Sequence, residues 1–144
     1  MNKSTSRAVL GLLLVAMAWP LHARAQEPVA AAEQLSTAAI IQAFNNVRDE
    51  AQVQDAAGTS AVNHWYADGR FSNRWRNTAG SGEVTGRWRA ADDQRCVTIL
   101  SGLPAREGKE TCSPVYRRGD RYLSLNPDGS IHGIHTLTPL TPQH

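Results

Sequence analysis

Two short segments concentrate the side chains that could do chemistry, Arg74-Trp75-Arg76 and Arg87-Trp88-Arg89. On a strand, alternate side chains point to opposite faces, so each tryptophan takes one face and its flanking arginines the other. The plain outcome is indole in the core and guanidinium in water. The functional outcome is an arginine-lined face for an anionic partner, to which Arg70, Arg95, Arg117 and Arg121 would add. Arginine's planar fork of donors suits carboxylates and phosphates. Trp65 and Tyr66, with Trp75 and Trp88, supply aromatic surface that could line the mouth of a small barrel. The expected ligand- or partner-binding residues are therefore Trp65, Tyr66, Arg74, Trp75, Arg76, Arg87, Trp88 and Arg89.

Other candidates carry less. His132 and His135 lie three apart on a predicted strand, which sends them to opposite faces, and His64 is remote in sequence, so no metal site is expected. There is no Gly-x-Ser-x-Gly and no spare cysteine, so no nucleophile is nominated and no catalytic residue is expected. Asp92-Asp93 sits in a turn, where aspartate is common. Gly80-Ser81-Gly82 lacks the lysine and following helix of a phosphate loop, and no cofactor is expected.

Cys96 and Cys112 are the only two cysteines, and each lies eight residues from Pro104. A hairpin centred there would oppose them on antiparallel strands, within disulfide reach. A redox pair would favour Cys-x-x-Cys spacing, which is absent.

Residues 1–25 read as a secretory leader. Lys3 and Arg7 precede the apolar run from Ala8 to Ala18, Pro20 breaks it, and Ala23-Arg24-Ala25 fits signal-peptidase cleavage. The run is shorter than the ~20 residues a membrane span needs, and no transmembrane span is expected elsewhere. A periplasmic or secreted address follows, and in that setting a disulfide is the default. Cleavage after Ala25 removes three of the 15 basic residues of the 144-residue chain and none of the 13 acidic ones. Twelve then face 13, a net charge of −1, which with export argues against nucleic acid as a partner. Lys109 remains as the one lysine.

The elements that must position these groups divide at Gly58. Residues 26–34 read as a flexible lead-in. Within 35–57, Ile40, Ile41, Phe44 and Val47 share a helical face, with Ser36 as N-cap and Leu35 against Ile40 as a hydrophobic staple. Residues 58–140 show short apolar runs with turn signals every 8–12 residues, the texture of an all-β domain. Strands are predicted near 61–66, 71–76, 84–90, 95–100, 110–117, 121–126 and 130–138. The fold class is mainly β: one small antiparallel meander barrel or curved sheet of about seven or eight strands, preceded by one N-terminal amphipathic helix. The first hairpin admits two registers. A two-residue Asp68-Gly69 turn gathers Val62, His64, Tyr66, Phe71, Asn73 and Trp75 on one face. A three-residue turn instead gathers Trp65, Phe71 and Trp75 and moves His64 away. The second collects more apolar bulk and is preferred.

Several of these landmarks occur in series. The capped segment Leu35-Ser36…Ile40…Phe44 precedes Trp65-Tyr66-Ala67-Asp68-Gly69-Arg70-Phe71. Gly86-Arg87-Trp88 leads into Asp92…Arg95-Cys96-Val97, and Glu110…Cys112…Val115-Tyr116-Arg117 precedes Gly119-Asp120. The series, over most of 35–125, resembles small bacterial exported domains of unknown function with a lipocalin-like or curved antiparallel fold. That resemblance implies a fold and no activity, so no site is carried over. The expected function is an exported envelope binding protein without catalytic activity. It would dock on an envelope protein or anionic envelope component through the arginine face and the 77–84 and 101–109 loops. The alternative is a lipocalin-like carrier of a small hydrophobic or anionic ligand.

Overall fold

The computed structural model describes residues 31–141. The expected leader, 1–25, and the first part of the expected lead-in lie outside the described residues. Ten strands form one antiparallel sheet: β1 (Glu33–Gln34), β2 (Val47–Val53), β3 (Ser60–Trp65), β4 (Arg70–Asn77), β5 (Gly80–Ala91), β6 (Gln94–Ser101), β7 (Glu110–Ser113), β8 (Val115–Arg118), β9 (Arg121–Leu125) and β10 (Ile131–Pro139). Their spatial order is β1-β8-β9-β10-β2-β3-β4-β5-β6-β7. Among the described residues one α-helix, α1 (Thr37–Ala43), stands between β1 and β2. The expected curved antiparallel sheet is present, curled into a half-barrel, but with ten strands rather than seven or eight, and with a strand ahead of the helix.

Three corrections explain the extra strands. The helix predicted over 35–57 stops at Ala43, and Asn46 turns the chain with a positive φ of 53°. Beyond it, Val47, Asp49 and Ala51 are buried while Glu50 and Gln52 are exposed, a period of two that makes β2. The strand predicted over 110–117 is split at Pro114, which has no N–H for a ladder. Its halves, β7 and β8, pair at opposite sides of the sheet, with β6 and β9 respectively. One proline thus carries the chain across the gap of the half-barrel. Finally, Glu33 and Gln34 of the expected lead-in pair with Arg117 and Tyr116.

The local chemistry explains the start of α1. Ser36 caps it, its Oγ accepting from Ala39 N at 3.2 Å. Leu35 and Ile40 are both buried, as a staple requires, whereas Ile41 is half-exposed rather than on the core face. Asp93, one of the paired turn carboxylates, accepts from Thr37 N at 2.7 Å and fastens the helix start to the β5–β6 turn. Asp92 and Asp93 both adopt positive φ there, which aspartate tolerates better than most residues.

The first hairpin takes the three-residue turn: Trp65 pairs with Phe71, and Tyr66 N donates to Arg70 O. Trp65, Phe71 and Trp88 therefore share the inner face with Phe44 of α1, and Trp65 meets Phe71 at 4.4 Å between ring centroids. This aromatic cluster seals one end of the half-barrel. Gly86 sits where a Cβ would lie 2.3 Å from Thr98 O, so only glycine lets β5 and β6 approach there.

Cys96 pairs with Cys112 in register and is bonded to it, as the spacing predicted. The loop it closes is 16 residues long in sequence separation, worth about 3 kcal/mol. Replacing both cysteines with serine is expected to lower stability by that amount in urea unfolding at pH 7. A loss below about 1 kcal/mol would contradict a stabilising role for the bridge.

Candidate binding site on the inner face

Between the aromatic end and the open end, the inner face carries a belt of polar side chains. Asp49 of β2 is fully buried. Its carboxylate accepts from Asn63 Nδ2 and Trp65 Nε1, each at 3.0 Å, and from His135 Nδ1 at 3.0 Å. Asn73 Nδ2 extends the belt to Asn63 Oδ1 at 2.6 Å, and Ser124 Oγ extends it the other way to His135 Nε2 at 3.0 Å. Strand register builds the row, because Asp49, Asn63 and Asn73 are direct partners across β2, β3 and β4.

Arg95 of β6 closes the belt from the opposite wall. Its guanidinium lies over the rings of Phe44 and Trp65, at 4.7 and 4.3 Å from their centroids. The residue is only 8% exposed. Burial pulls its pKa down to about 10 against the opposing charge of Asp49, so it stays a cation at neutral pH. Among the described residues, its Nε and Nη1 are buried without a hydrogen-bond partner. Buried donors of this kind are rare and expensive in native proteins. The sequence placed Arg95 with the arginine face; the structure turns it inward.

Beyond the belt the half-barrel opens into a cavity of about 960 Å³. Arg95, Asn63, Asn73, Ser124 and His135 line its polar side, while Trp75, Val97, Ile99 and Leu103 line its apolar side. Small barrels commonly fill their interiors with side chains, but here the aromatics and α1 fill one end and leave the other as a cavity. His132 also reaches the cavity. A bulge between Ile131 and Gly133 breaks the alternation of β10, so His132 and His135 line the same space rather than opposite faces.

The predicted site residues separate into two groups. Trp65 and Trp88 are core residues, and Trp88 Nε1 donates to Tyr66 O at 2.8 Å. Trp75 is half-buried and lines the cavity, with its indole against Gly82. Tyr66 lies under the guanidinium of Arg70, 4.7 Å from its centroid. Arg74, Arg76, Arg87 and Arg89 are all exposed on the outer face. Acidic neighbours quench part of that face: Arg74 pairs with Glu83, Arg89 with Glu110 and Arg48 with Glu50. A shallow groove of about 800 Å³ runs there past Arg48, Arg74, Arg76 and Arg121.

The belt residues Asp49, Asn63, Asn73 and Ser124 were not singled out in sequence. For the first three the signal was a polar residue between two apolar ones at period two, in successive strands; Ser124 carries no such signal. The pattern occurs in Val47-x-Asp49-x-Ala51, Ala61-x-Asn63-x-Trp65 and Phe71-x-Asn73-x-Trp75.

Compared with protein-family models, with curated proteins and with solved structures, the chain gives no match. The disulfide fits an oxidising compartment, and no described helix is long and apolar enough to cross a membrane.

Burial pushes the Asp49 carboxyl up, but its interactions with His135, the charge of Arg95 and the Trp65 N–H outweigh this and hold it below the ordinary value of 3.8. Folded Asp49 therefore keeps its charge to lower pH than unfolded Asp49. Its stabilisation is complete above the ordinary carboxylate range and is lost as pH falls through the lowered folded value. Asp49→Ala, which strands His135, Trp65 and Asn63, is expected to cost about 3–5 kcal/mol at pH 7. In urea unfolding the difference between wild type and this variant should shrink from pH 7 to pH 3. A difference independent of pH would show that the charge of Asp49 is not what holds the belt.

Proposed function

We propose that the protein is an exported binding protein whose inner cavity takes a small amphipathic ligand with an anionic head group. The observation that carries this reading is Arg95: a buried cation on the cavity wall with two donors unpartnered. A carboxylate or phosphate oxygen supplies what those donors lack, in a charge-assisted bond stronger than a neutral one. Asn63, Asn73 and His132 add polar contacts, and Trp75, Ile99 and Leu103 provide apolar wall for a short tail. The cavity volume is that of a small-molecule site. A periplasmic or secreted address gives such a carrier access to envelope lipids and their breakdown products.

Docking of an envelope protein or anionic component on the outer face is the second reading. Arg76 and Arg87 favour it, since neither has an ion pair among the described residues, and Arg76 Nε donates only to Ser60 Oγ at 3.3 Å. The two surfaces are separable. Tryptophan fluorescence should report binding of dodecanoate, and about tenfold weaker binding of neutral dodecanol. Arg95→Gln should remove that preference while leaving dodecanol binding in place. Changing Arg74, Arg76, Arg87 and Arg89 together to Ala should leave dodecanoate binding unchanged. Equal affinity for the acid and the alcohol in wild type would overturn the Arg95 reading. Loss of binding in the outer-face variant would move the site there.

A further inference from the structure

We propose that Ser124 is an acyl-accepting nucleophile, activated by His135 and oriented through Asp49, and that the cavity hydrolyses small carboxylic esters. The proposal rests on the reading of the cavity as a site for amphipathic ligands. Its first support is geometric. Ser124 Oγ lies 3.0 Å from His135 Nε2, and His135 Nδ1 lies 3.0 Å from each oxygen of Asp49. Nucleophile, base and orienting carboxylate thus stand in series on β9, β10 and β2. That constellation is recognised by geometry and roles rather than by sequence order or a Gly-x-Ser-x-Gly elbow.

The second support is the placement of the proton. Asp49 is ionised and only accepts, so the proton between it and His135 sits on Nδ1. In the neutral imidazole Nε2 is then a lone pair, and the hydrogen bond with Ser124 runs from the hydroxyl to the imidazole. A general base needs that arrangement. Trp65 Nε1 and Asn63 Nδ2 hold Asp49 Oδ2, which fixes the carboxylate and through it the ring of His135. Asp49 is a positioning residue; Ser124 and His135 would meet the substrate.

The third support is access. Ser124, His135 and Gly133 all line the cavity. Gly133 pairs with Ser124, and a Cβ at that position would lie 3.1 Å from both Ser124 Oγ and His135 Nε2. Ser124 and His135 are themselves only 5% and 7% exposed, and a side chain at position 133 would fill the space beside their bond. A network built only to satisfy Asp49 needs neither a hydroxyl at its cavity end nor bare space beside it.

The reaction is an acyl transfer in two balanced halves. Ser124 Oγ bonds to the ester carbonyl carbon as its proton passes to His135 Nε2. The bond from that carbon to the alkoxy oxygen then breaks, and the alcohol leaves with the proton. Water repeats the sequence on the acyl-serine, giving a carboxylic acid and restoring Ser124. The carboxylate released is the head group assigned to Arg95.

The test uses the folded, disulfide-bonded protein with p-nitrophenyl butyrate as substrate and diisopropyl fluorophosphate as label. Wild type should hydrolyse the ester about 100-fold or more faster than Ser124→Ala, and the label should map to Ser124. Gly133→Ala, whose methyl fills the space beside the bond, should block labelling while circular dichroism stays unchanged. Asp49→Asn should lose hydrolysis with a spectroscopic signature, the His135 proton moving from Nδ1 to Nε2 in ¹⁵N NMR. Hydrolysis by Ser124→Ala equal to wild type, or an unlabelled Ser124 in folded protein, overturns the proposal. Ser124→Ala should still bind dodecanoate. Binding without hydrolysis would sink only the nucleophile, and hydrolysis without dodecanoate binding would sink only the anion-carrier reading.

Discussion

The buried carboxylate of Asp49 is the interaction on which the rest of the inner face depends. An ion of this size costs several kcal/mol to bury, and it is tolerable only when its lone pairs are met. His135, Trp65 and Asn63 meet them from the neighbouring strands β10 and β3. The requirement therefore fixes three strands in register and orients one of the largest core side chains. Trp65 faces two ways as a result. Its N–H serves the polar belt, while its ring packs against Phe44, Phe71 and Trp88 in the sealed end. Arg95 leans on the same charge, since the field of Asp49 partly offsets the cost of burying its guanidinium.

The surrounding architecture keeps the other end open. A sheet of ten twisted strands curls back until β7 and β8 are separated only by Pro114. The helix is pinned over the closed end by the bonds between Thr37 and Asp93. The Cys96–Cys112 bridge fastens β7, an edge strand, to β6 beside Arg95. Rigid elements therefore carry the belt, and the cavity beyond it is preformed. Small ligands gain affinity from preformed sites because less ordering entropy is lost on binding.

Much of this fold was legible in the sequence wherever one local rule decided the outcome. Ser36 before an apolar helical stripe, glycine in the Ala67-Asp68-Gly69 turn, and two cysteines symmetric about Pro104 each point to a single geometry. The Trp65–Phe71 register followed from collecting apolar bulk on one face. Legibility failed where a distant partner decided. Asp49 faces inward, so β2 lacks the apolar alternation of a half-buried strand and reads as the end of a helix. Arg95 adjoins Cys96 in a strand whose alternation says little about which face is inside, and only Phe44, Trp65 and Asp49 make the inner face tolerable to it. The bulge at His132 is marked only by the neighbouring Gly133, and it brings the two histidines to line one space. The candidate site is thus a product of cross-strand pairing between segments up to 86 residues apart.

The central claim is that Arg95 is an anion receptor, and its own side-chain resonance reports on it most directly. In ¹⁵N-resolved NMR of the labelled protein, titration with dodecanoate should shift the Arg95 Nε–H signal downfield and slow its exchange with solvent, in proportion to occupancy. Dodecanol should leave the signal in place. An Arg95 Nε–H signal unmoved at saturating dodecanoate would contradict the account.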